Sequence, residues 1–467
     1  MANSAASGDY VLPRELLQRY AKPGPRYTSY PTAPVWSDSF DAAEARRLYA
    51  QNNPADSQAP LALYAHIPFC TSLCWYCGCH VKIERNKAKV TGPYLQALRQ
   101  ELALLRAELA PGRQISQMHW GGGTPTYLSP EDISELTASI VAAIPRAEGA
   151  EFSIEVDPRV TTDEHLQALR ESGFNRLSMG VQDFNPQVQA AVHRIQPFEK
   201  TAELIHNARK RGFVSINIDL MYGLPHQSVE SFAATLDQVR ELDPDRIALF
   251  HYAHVPWLKP AQKLIKSEDL PDTESKTQIF ELAVATFLAR GYRYIGMDHF
   301  AKPDDELTLA QQAGSLRRNF MGYTTQAGVD LYGLGVSSIS EIDGHFVQNL
   351  RAIPDYEERL AAGQLPTLRG MWLSPDDLLR KAVIEELICN GVLDFAAISQ
   401  RFAIDFENYF AAELQACAPL AEDGLIALNA GQIRVQPRGQ ILIRNVCMIW
   451  DAYLQAQQSK QMFSQTL

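Results

Sequence analysis

At 467 residues, the chain is long enough to bury a large core and to form more than one domain. Its 43 Lys and Arg against 54 Asp and Glu residues give a net charge of −11, which argues against nucleic acid as the main partner. With no apolar run of about 18 residues and no charged-then-apolar leader, we expect a soluble protein of the reducing cytoplasm that contacts no membrane.

The first part of the chain, residues 1–58, is predicted to form an N-terminal arm. It is interrupted by prolines and contains the segment Arg26-Tyr-Thr-Ser-Tyr-Pro-Thr-Ala33, whose turn-forming residues disfavour a long helix. The arm is expected either to pack on the surface of the protein or to be a passive tail.

A loop of closely spaced cysteines comes just after the first predicted strand. Cys70, Cys74 and Cys77 form a C-x3-C-x2-C pattern, and Cys79 brings four of the seven cysteines into ten residues. Zinc usually takes two separated pairs of ligands, and no second pair is evident, whereas an iron–sulfur cluster is wrapped tightly by thiolates. Three thiolates on a four-iron cluster leave one iron open to a small chelating molecule. Reduced core thiols, or a zinc knuckle with Cys79 or His80, are the alternatives.

Strands and helices alternate between residues 61 and 250, which predicts a parallel sheet because parallel neighbours need crossover connections. The six predicted strands cover 61–67, a run ending at 120, 152–156, 176–181, 215–221 and 246–250. Helices are predicted after Pro93, after Ser129, from Thr161 to near Gly173, and over 199–211 and 228–242. The pattern fits a partial, open (β/α)6 TIM-like barrel and an open doubly wound sheet equally well.

The chain divides, on this interpretation, into the arm, a catalytic barrel with its extension over 59–365, and a mostly helical C-terminal domain over 366–467. Ser374-Pro375 opens a helix, the stretches 424–428 and 433–435 predict a hairpin, and a last helix begins near 438. This order resembles a winged helix. Winged helices often bind DNA, but the acidic chain lacks a basic recognition stretch, which favours a lid or packing role.

Glycines and polar side chains lie near the carboxyl ends of the predicted strands, where barrel folds place their active sites. The triplet Gly121–123 lets a backbone approach a ligand, although many such triplets are only tight turns. Glu155 and Asp219 lie on buried strands, where a carboxylate needs a partner such as a ribose hydroxyl, a ligand ammonium or a structural arginine. Arg194 is a candidate carboxylate clamp, and His66 either tunes the cluster or is an ordinary strand histidine.

The C-x3-C-x-aromatic-C loop at the end of an apolar strand resembles the signature of radical S-adenosylmethionine (SAM) enzymes. With Gly78-Cys79 after it and the Arg26-Tyr-Thr-Ser-Tyr-Pro segment before it, the chain most resembles the oxygen-independent coproporphyrinogen III oxidases, over nearly its whole length. The resemblance implies the open barrel rather than the doubly wound sheet. It also implies one [4Fe-4S] cluster, two SAM molecules, and an arm that lies against the active site.

The resemblance further implies roles for individual residues. The cluster ligands would be Cys70, Cys74 and Cys77. The first SAM molecule would be lined by Tyr64, Gly122, Glu155 and Ile339. The second would be lined by Tyr76, Gly123, Thr124, Gln182, Arg194, Asp219 and Ala253, with the ring of Tyr76 offering a flat face to adenine. Cys79 would be catalytic, near the substrate or the second SAM, because it lies too close to Cys77 to wrap the same cluster.

The implied reaction is the decarboxylation of two propionates of coproporphyrinogen III to vinyl groups, a step of haem biosynthesis. A reduced cluster would cleave SAM to a 5′-deoxyadenosyl radical, which takes a hydrogen from the carbon β to the carboxylate before CO2 and one electron leave. The expected partners are the substrate, held by Arg26 or Arg194, an electron donor and an electron acceptor. We expect a monomer.

Two other functions fit the same superfamily. One is a haem-binding chaperone, against which Cys79 and the long C-terminal region count. The other is a radical enzyme that methylates or opens haem.

Overall fold

The computed structural model describes residues 7–454. Residues 1–6 and 455–467, the outer ends of the predicted arm and C-terminal domain, lie outside the described residues. Within the described range, no helix combines the length and apolar character that a membrane span requires.

The N-terminal arm contains two helices, α1 (Arg14–Tyr20) and α2 (Ala42–Gln51). Its buried tyrosines hold it against the end of the chain: Tyr20 donates a hydrogen bond to Asp423 at 2.6 Å, and Tyr27 donates to Asp451 at 3.0 Å. The arm therefore packs on the protein, and the alternative of a passive tail was wrong.

The alternation predicted between residues 61 and 250 is confirmed. Its elements are β1 (Leu61–Ile67), β2 (Phe69–Cys70), β3 (Lys82–Ile83), α3 (Lys87–Glu108), β4 (Ile115–Gly122), α4 (Pro130–Ala143), β5 (Arg146–Val156), α5 (Asp163–Glu171), β6 (Arg176–Gln182), α6 (Pro186–Ala191), α7 (Phe198–Lys210), β7 (Ser215–Tyr222), α8 (Val229–Leu242) and β8 (Arg246–His251). Each of the six predicted strands is present. The apolar side chains that predicted it are buried in the core of the protein.

Three local details differ from the predictions. Helix α3 begins at Lys87 rather than after Pro93, although Pro93 forfeits one backbone hydrogen bond. Thr162 rather than Thr161 caps α5, because the Thr161 hydroxyl donates to the Asp157 carbonyl at 2.8 Å. The short helix α6 was not predicted.

The extension completes the sheet. Its elements are α9 (Thr273–Ala289), β9 (Arg293–Gly296), β10 (His299–Ala301), α10 (Glu306–Gln312), β11 (Arg317–Asn319), β12 (Gly322–Thr324), β13 (Asp330–Leu334), β14 (Ile339–Ile342), β15 (His345–Asn349), α11 (Ile353–Ala361) and β16 (Thr367–Met371). The twelve strands follow the order β16-β15-β14-β13-β1-β4-β5-β6-β7-β8-β10-β9. The six predicted strands are parallel neighbours, and β13 adds a seventh parallel strand beside β1. Strands β16 and β9 form opposite edges, so the barrel is partial and open, as predicted.

Glu101 on α3 fixes the segment after β13. Its buried carboxylate accepts hydrogen bonds from the Tyr356 hydroxyl at 2.5 Å, the Asn349 amide at 2.5 Å and the Gly335 backbone N–H at 2.7 Å. Burial outweighs these three donors and raises the pKa of Glu101 from 4.5 to about 7. Helix α3 and the extension are thus joined by a carboxyl group that titrates near neutral pH.

Replacing Glu101 by glutamine is expected to remove part of the pH dependence of stability. Because the pKa of Glu101 rises from 4.5 to about 7 on folding, the folded state holds the proton more tightly, and its stabilisation is lost as pH rises through about 7. The pKa shift of Glu101 makes the free energy of unfolding roughly 3 kcal/mol larger at low pH than at high pH. Urea unfolding at about pH 5 and about pH 8 measures it in both proteins. An unchanged difference in the E101Q variant would contradict this prediction.

The C-terminal domain is mostly helical, as predicted. Its elements are α12 (Pro375–Asn390), β17 (Val392–Asp394), α13 (Phe395–Phe402), α14 (Phe406–Tyr409), α15 (Ala411–Ala416), α16 (Ala418–Glu422), β18 (Ile426–Asn429), β19 (Gln432–Val435), α17 (Pro437–Ile441) and α18 (Ile443–Met448). Ser374 caps α12 through a capping box, and β18 and β19 form the predicted hairpin. The order of helices followed by a hairpin retains the likeness to a winged helix.

Candidate active site

One face of the parallel strands carries a row of polar side chains. Tyr64 on β1 lies opposite His119 on β4, and their rings stack with centroids 6.0 Å apart. The His119 Nε2 atom lies 3.7 Å from the Glu155 carboxylate on β5. On β7, Asn217 donates a hydrogen bond to Asp219 at 2.8 Å. Glu155 is in register with Ser178 on β6, and Ser178 is in register with Asn217. The two carboxylates predicted to bind SAM therefore lie on the same face of the sheet.

The two carboxylates differ in charge. Burial alone would raise the pKa of Glu155, but the interaction with His119 and a hydrogen bond from the Gly122 N–H at 3.1 Å outweigh it and leave this pKa lowered. Burial, and then the charge of Glu155, raises the pKa of Asp219 to about 7. At neutral pH, Glu155 is therefore ionised and Asp219 is partly protonated. An ionised and a partly protonated carboxyl group can serve an ammonium and ribose hydroxyls, respectively.

The glycine triplet at the end of β4 is required by the protein's own packing. A Cβ atom on Gly121 would lie 3.0 Å from the Glu155 carboxyl carbon, and one on Gly122 would lie 2.5 Å from the His66 ring. Gly122 also has a φ of +114°, which favours glycine. A Cβ atom on Gly123 would lie 2.8 Å from the carbonyl oxygens of Pro68 and Phe69, at the start of the cysteine loop. The triplet thus sets how closely β4 approaches that loop.

Replacing Gly123 by alanine is expected to displace the cysteine loop, because the atoms that its Cβ would meet are backbone atoms that cannot rotate away. We expect a loss of roughly 1–3 kcal/mol in folding stability, together with lower iron content after reconstitution. Urea unfolding and iron analysis measure the two effects. Gly149, whose Cβ would meet nothing within 4 Å but whose φ is +70°, gives a control for backbone strain without a clash. Equal iron content in G123A and G149A would contradict the prediction.

Hydrogen bonds from the residues that follow β4 hold the start of the cysteine loop against the sheet. The Gly123 N–H donates to the Ile67 carbonyl at 2.8 Å, the Thr124 N–H donates to the Phe69 carbonyl at 2.9 Å, and the Thr124 hydroxyl lies 3.3 Å from the Cys70 sulfur. A turn from Cys74 to Cys77, closed by a 3.0 Å backbone hydrogen bond, presents the next two thiols. The predicted neighbours of the cluster and of the second SAM are thereby brought together.

Two arginines face the Cys74 sulfur, each at 3.5 Å: Arg159 and Arg194. Asp157 accepts hydrogen bonds from both guanidinium groups, at 2.6 Å from Arg159 and 3.3 Å from Arg194. Arg194, predicted to line the second SAM, also donates to the Gly180 carbonyl at 2.5 Å. Asp157 and Arg159 were missed, although the sequence Glu155-Val-Asp-Pro-Arg159 places them directly after a predicted strand.

Cys79 contacts a neighbouring cysteine. Its thiol donates to the Cys77 sulfur, and this hydrogen bond lowers the pKa of Cys77 to about 6, while the pKa of Cys79 is raised. Cys79 is the exposed member of the four, whereas Cys74 is buried. The thiol predicted to be catalytic therefore lies beside a predicted cluster ligand.

His66 links the first strand to the end of the cysteine loop. Its Nε2 atom donates to the His80 carbonyl at 3.0 Å, which leaves Nδ1 to accept a hydrogen bond from the Tyr64 hydroxyl, also at 3.0 Å. Burial lowers the pKa of His66 to about 4, so the ring is neutral. His66 positions the loop and Tyr64 rather than supplying charge.

The other predicted site residues border the same region. Gln182 ends β6 at a φ of +69°, and its Oε1 atom is buried without a hydrogen-bond partner. Tyr76 packs against an apolar cluster that includes Val188, Val192 and Tyr252. Ala253 follows the end of β8, and Ile339 begins β14 next to β13. Gln182 and Arg194 both lie next to Gly180, and Tyr76 is part of the cysteine loop itself.

The side chains in and around the cysteine loop match the needs of the implied cofactors. Among residues 7–454, no three His, Cys, Asp or Glu side chains converge tightly enough to hold a single metal ion. A four-iron cluster binds each thiolate to a different iron, so Cys70, Cys74 and Cys77 fit it at a wider spacing. The Gln182 Oε1 and Arg194 Nε atoms are buried without hydrogen-bond partners. Polar groups of a bound ligand would supply those partners. The residues present therefore fit a cluster and an adjoining SAM molecule.

An open parallel sheet with a three-cysteine loop after its first strand defines a radical SAM protein. The model of the radical SAM superfamily matches residues 64–239, and that of the HemN C-terminal domain matches 373–442. The radical SAM family uses a [4Fe-4S] cluster and SAM.

Full-length relatives narrow the class. The oxygen-independent coproporphyrinogen III oxidase of Salmonella typhimurium is 47% identical over 452 residues, which are 97% of this chain and 98% of that protein. Its namesake in Helicobacter pylori J99 is 44% identical over 97% of this chain and 99% of its own. The solved structure of coproporphyrinogen III oxidase (HemN) from Escherichia coli, described as a radical SAM enzyme, has a TM-score of 0.90 at 46% identity, and the match covers 95% of this chain and 100% of that one. The chain belongs to the family of oxygen-independent coproporphyrinogen III oxidases.

Proposed function

We propose that this enzyme converts coproporphyrinogen III to protoporphyrinogen IX without oxygen, by decarboxylating two propionate side chains to vinyl groups. Family membership supports the reaction, which belongs to haem biosynthesis. The observation that carries the proposal is structural. The two carboxylates, Glu155 and Asp219, lie on one face of the sheet, next to the cysteine loop. A recess that contains Arg26 and Arg318, described below, adjoins the same face. Cofactors and a polycarboxylate substrate could therefore meet there.

The cofactors, when bound, supply the radical that breaks an aliphatic C–H bond, which no side chain can do. We propose Cys70, Cys74 and Cys77 as the cluster ligands. The proposed contacts of the first SAM are Tyr64, Gly122, Glu155 and Ile339, and those of the second are Tyr76, Gly123, Thr124, Gln182, Arg194, Asp219 and Ala253. Cys79, the exposed cysteine of the loop, is proposed to act near the substrate or the second SAM. The protein's share is to orient these groups and to keep water out.

The polar face continues from the SAM residues towards the open edge of the sheet. Asp219 on β7 is in register with Ala248 on β8, and Ala248 is in register with His299 on β10. Register partners point to the same side of a sheet, so His299 shares the face of Asp219. Phe250, two residues beyond Ala248, points the same way and packs edge-on against His299 with ring centroids 6.0 Å apart.

Two arginines close this end of the face. Arg26 of the arm lies over the Phe250 ring at 5.7 Å, and Arg318 lies over the Tyr323 ring at 5.6 Å. Tyr323 in turn packs edge-on against His299 at 5.2 Å. We name Arg26, Phe250, His299, Arg318 and Tyr323 the arginine recess. The contact of Arg26 with Phe250 supports the proposal that the arm lies against the active site.

The arginine recess is electropositive. Arg26 forms an ion pair with Asp298, whereas Arg318 donates to the backbone carbonyls of Arg26 and Tyr27 and leaves its Nε atom buried without a partner. Burial, and then Arg318, lowers the pKa of Arg26 to about 10. Burial and both arginines lower the pKa of His299 to about 3, so it is neutral. A propionate carboxylate bound here would relieve the repulsion between the arginines.

Of the two arginines predicted to hold the substrate, Arg26 therefore fits this role better. Arg194 is already engaged by Asp157, the Cys74 sulfur and the Gly180 carbonyl. We propose that Arg318, which no sequence pattern singles out, binds the substrate in place of Arg194.

The remaining partners are proposals as well. Each decarboxylation needs one electron to start and releases one, so an electron donor and an electron acceptor are required. We propose that the enzyme works in a reducing cytoplasm, where its cluster thiolates stay reduced, and as a monomer, since one chain supplies every site residue named above.

The proposal is tested by an anaerobic assay of the iron-reconstituted protein with coproporphyrinogen III, SAM and dithionite, with products followed by mass. Loss of two CO2 per substrate, together with 5′-deoxyadenosine, is the expected result. Tight haem binding without turnover would indicate a haem carrier instead. A methylated product would indicate a methyltransferase.

A further inference from the structure

Two surface segments flank the cysteine loop. The first, residues 80–90, joins the loop through β3, and its Glu84 N–H donates to the Cys70 carbonyl at 3.1 Å. The second, residues 255–267, contacts the other end of the loop. Gln262 donates to the Tyr76 carbonyl at 3.1 Å, and the Lys259 ammonium donates to the Cys79 carbonyl at 3.4 Å. Both segments are thus part of the protein surface nearest to the predicted cluster ligands.

These segments are strongly basic in an acidic chain. Together they hold seven Lys and Arg residues and one acidic residue, Glu84, whereas the whole chain has a net charge of −11. The seven form what we call the basic rim: Lys82, Arg85, Lys87, Lys89, Lys259, Lys263 and Lys266. All except Lys259 are exposed. Concentrated positive charge at one place on an acidic protein favours an acidic partner.

Apolar side chains are exposed within the same surface. Trp257 is 62% exposed, Leu258 58% and Leu264 57%. Among the described residues, three of the nine exposed large hydrophobic side chains thus fall within eight consecutive positions. An apolar centre with a charged surround is the usual composition of a protein-binding site.

We propose that this surface docks an acidic one-electron carrier protein that reduces the cluster. The proposal rests on the proposed function, which requires an electron at the cysteine loop. In the transfer, the carrier loses one electron and the cluster gains it, and no proton or group moves. The exposed apolar residues would pack against the carrier, and the basic rim would steer its acidic surface. The segments contact the loop backbone at both ends, so the docked carrier would lie close to the cluster ligands.

The test compares two charge-reversal variants of the iron-reconstituted enzyme. The docking variant is K263E/K266E, and the control is K210E/R240E. Lys210 and Arg240 lie in the last turns of α7 and α8, at the end of the barrel opposite to the cysteine loop, and their reversal changes the net charge equally. Thermal unfolding checks that both variants fold.

The probe is a reduced acidic flavodoxin, mixed rapidly with the enzyme while the cluster absorbance is followed. At low ionic strength we expect reduction of K263E/K266E to be at least about tenfold slower than that of the wild type and of K210E/R240E. The difference should shrink at high salt, because the charges are exposed. A W257A variant should weaken flavodoxin binding, measured by calorimetry, with little dependence on salt.

Equal reduction rates in the docking and control variants would overturn the proposal. Turnover driven by dithionite, which needs no docking surface, separates this outcome from failure of the proposed function. It should be the same in K263E/K266E and the wild type. If K263E/K266E instead raised the KM for coproporphyrinogen III under dithionite, the surface would belong to the substrate and the proposal would be wrong.

Discussion

Replacing Cys74 by alanine is expected to remove the cluster and, with it, SAM cleavage. Cys74 is the buried cysteine of the loop, and Arg159 and Arg194 both lie 3.5 Å from its sulfur. Loss of one of three ligands leaves an iron without protein support, so the cluster should fail to assemble. Formation of 5′-deoxyadenosine should fall roughly a thousandfold or more, because no other group can supply the radical.

Iron analysis, absorbance near the thiolate-to-iron band and mass detection of 5′-deoxyadenosine measure this effect. The matched control is Cys389→Ala, which removes a buried thiol from α12, outside the cysteine loop. C389A should bind about four iron atoms per chain, like the wild type, whereas C74A should not. If C74A retained a normal cluster, the ligand assignment would be wrong.

Replacing Arg318 by leucine is expected to weaken substrate binding at least about tenfold, because a carboxylate in the arginine recess would lose its charged partner. The Arg318 Nε atom is buried without a hydrogen-bond partner, and burial, followed by repulsion from Arg318, lowers the pKa of Arg26. The KM for coproporphyrinogen III should therefore rise, while cluster content stays normal. Lysine at the same position should restore part of the affinity, since it returns the charge but not the planar fork.

Arg317 provides the matched control, because it is the adjacent residue and is paired with Glu386 at 3.2 Å outside the arginine recess. R317L should leave the KM unchanged. Binding of protoporphyrinogen IX, which lacks two of the carboxylates, should differ less between R318L and the wild type than binding of the substrate does. An unchanged substrate KM in R318L would show that the recess does not hold a propionate.

The central strands could be predicted because their signals are local. Each of the six is an apolar run whose core-facing side chains are buried, so its own residues specify it. Strand β13 is not among the six predicted strands. Its place beside β1 depends on a pairing between distant parts of the chain and on the contacts of Glu101, and neither appears in the sequence pattern.

The active site divides in the same way. The cysteine spacing predicted the cluster loop, and charged residues on apolar strands pointed to Glu155 and Asp219. Asp157 and Arg159 were missed because arginines and carboxylates near strand ends are common, and only their contacts with Cys74 distinguish them. Arg318 was missed for a similar reason, since its relation to Arg26 spans the whole length of the barrel and its extension.

Local sequence patterns therefore predict the cluster loop and the sheet behind it. Closely spaced thiolates and a strand–helix alternation are local properties, and together they specify the cluster loop and the sheet that supports it. The three-dimensional fold sets which residues surround the cysteine loop. It turned the glycine triplet into a packing requirement of the loop, engaged Arg194 with Asp157, and brought Arg26 of the arm to Arg318. Such partners are set by long-range packing, because burial and charge act between neighbours in space rather than along the chain.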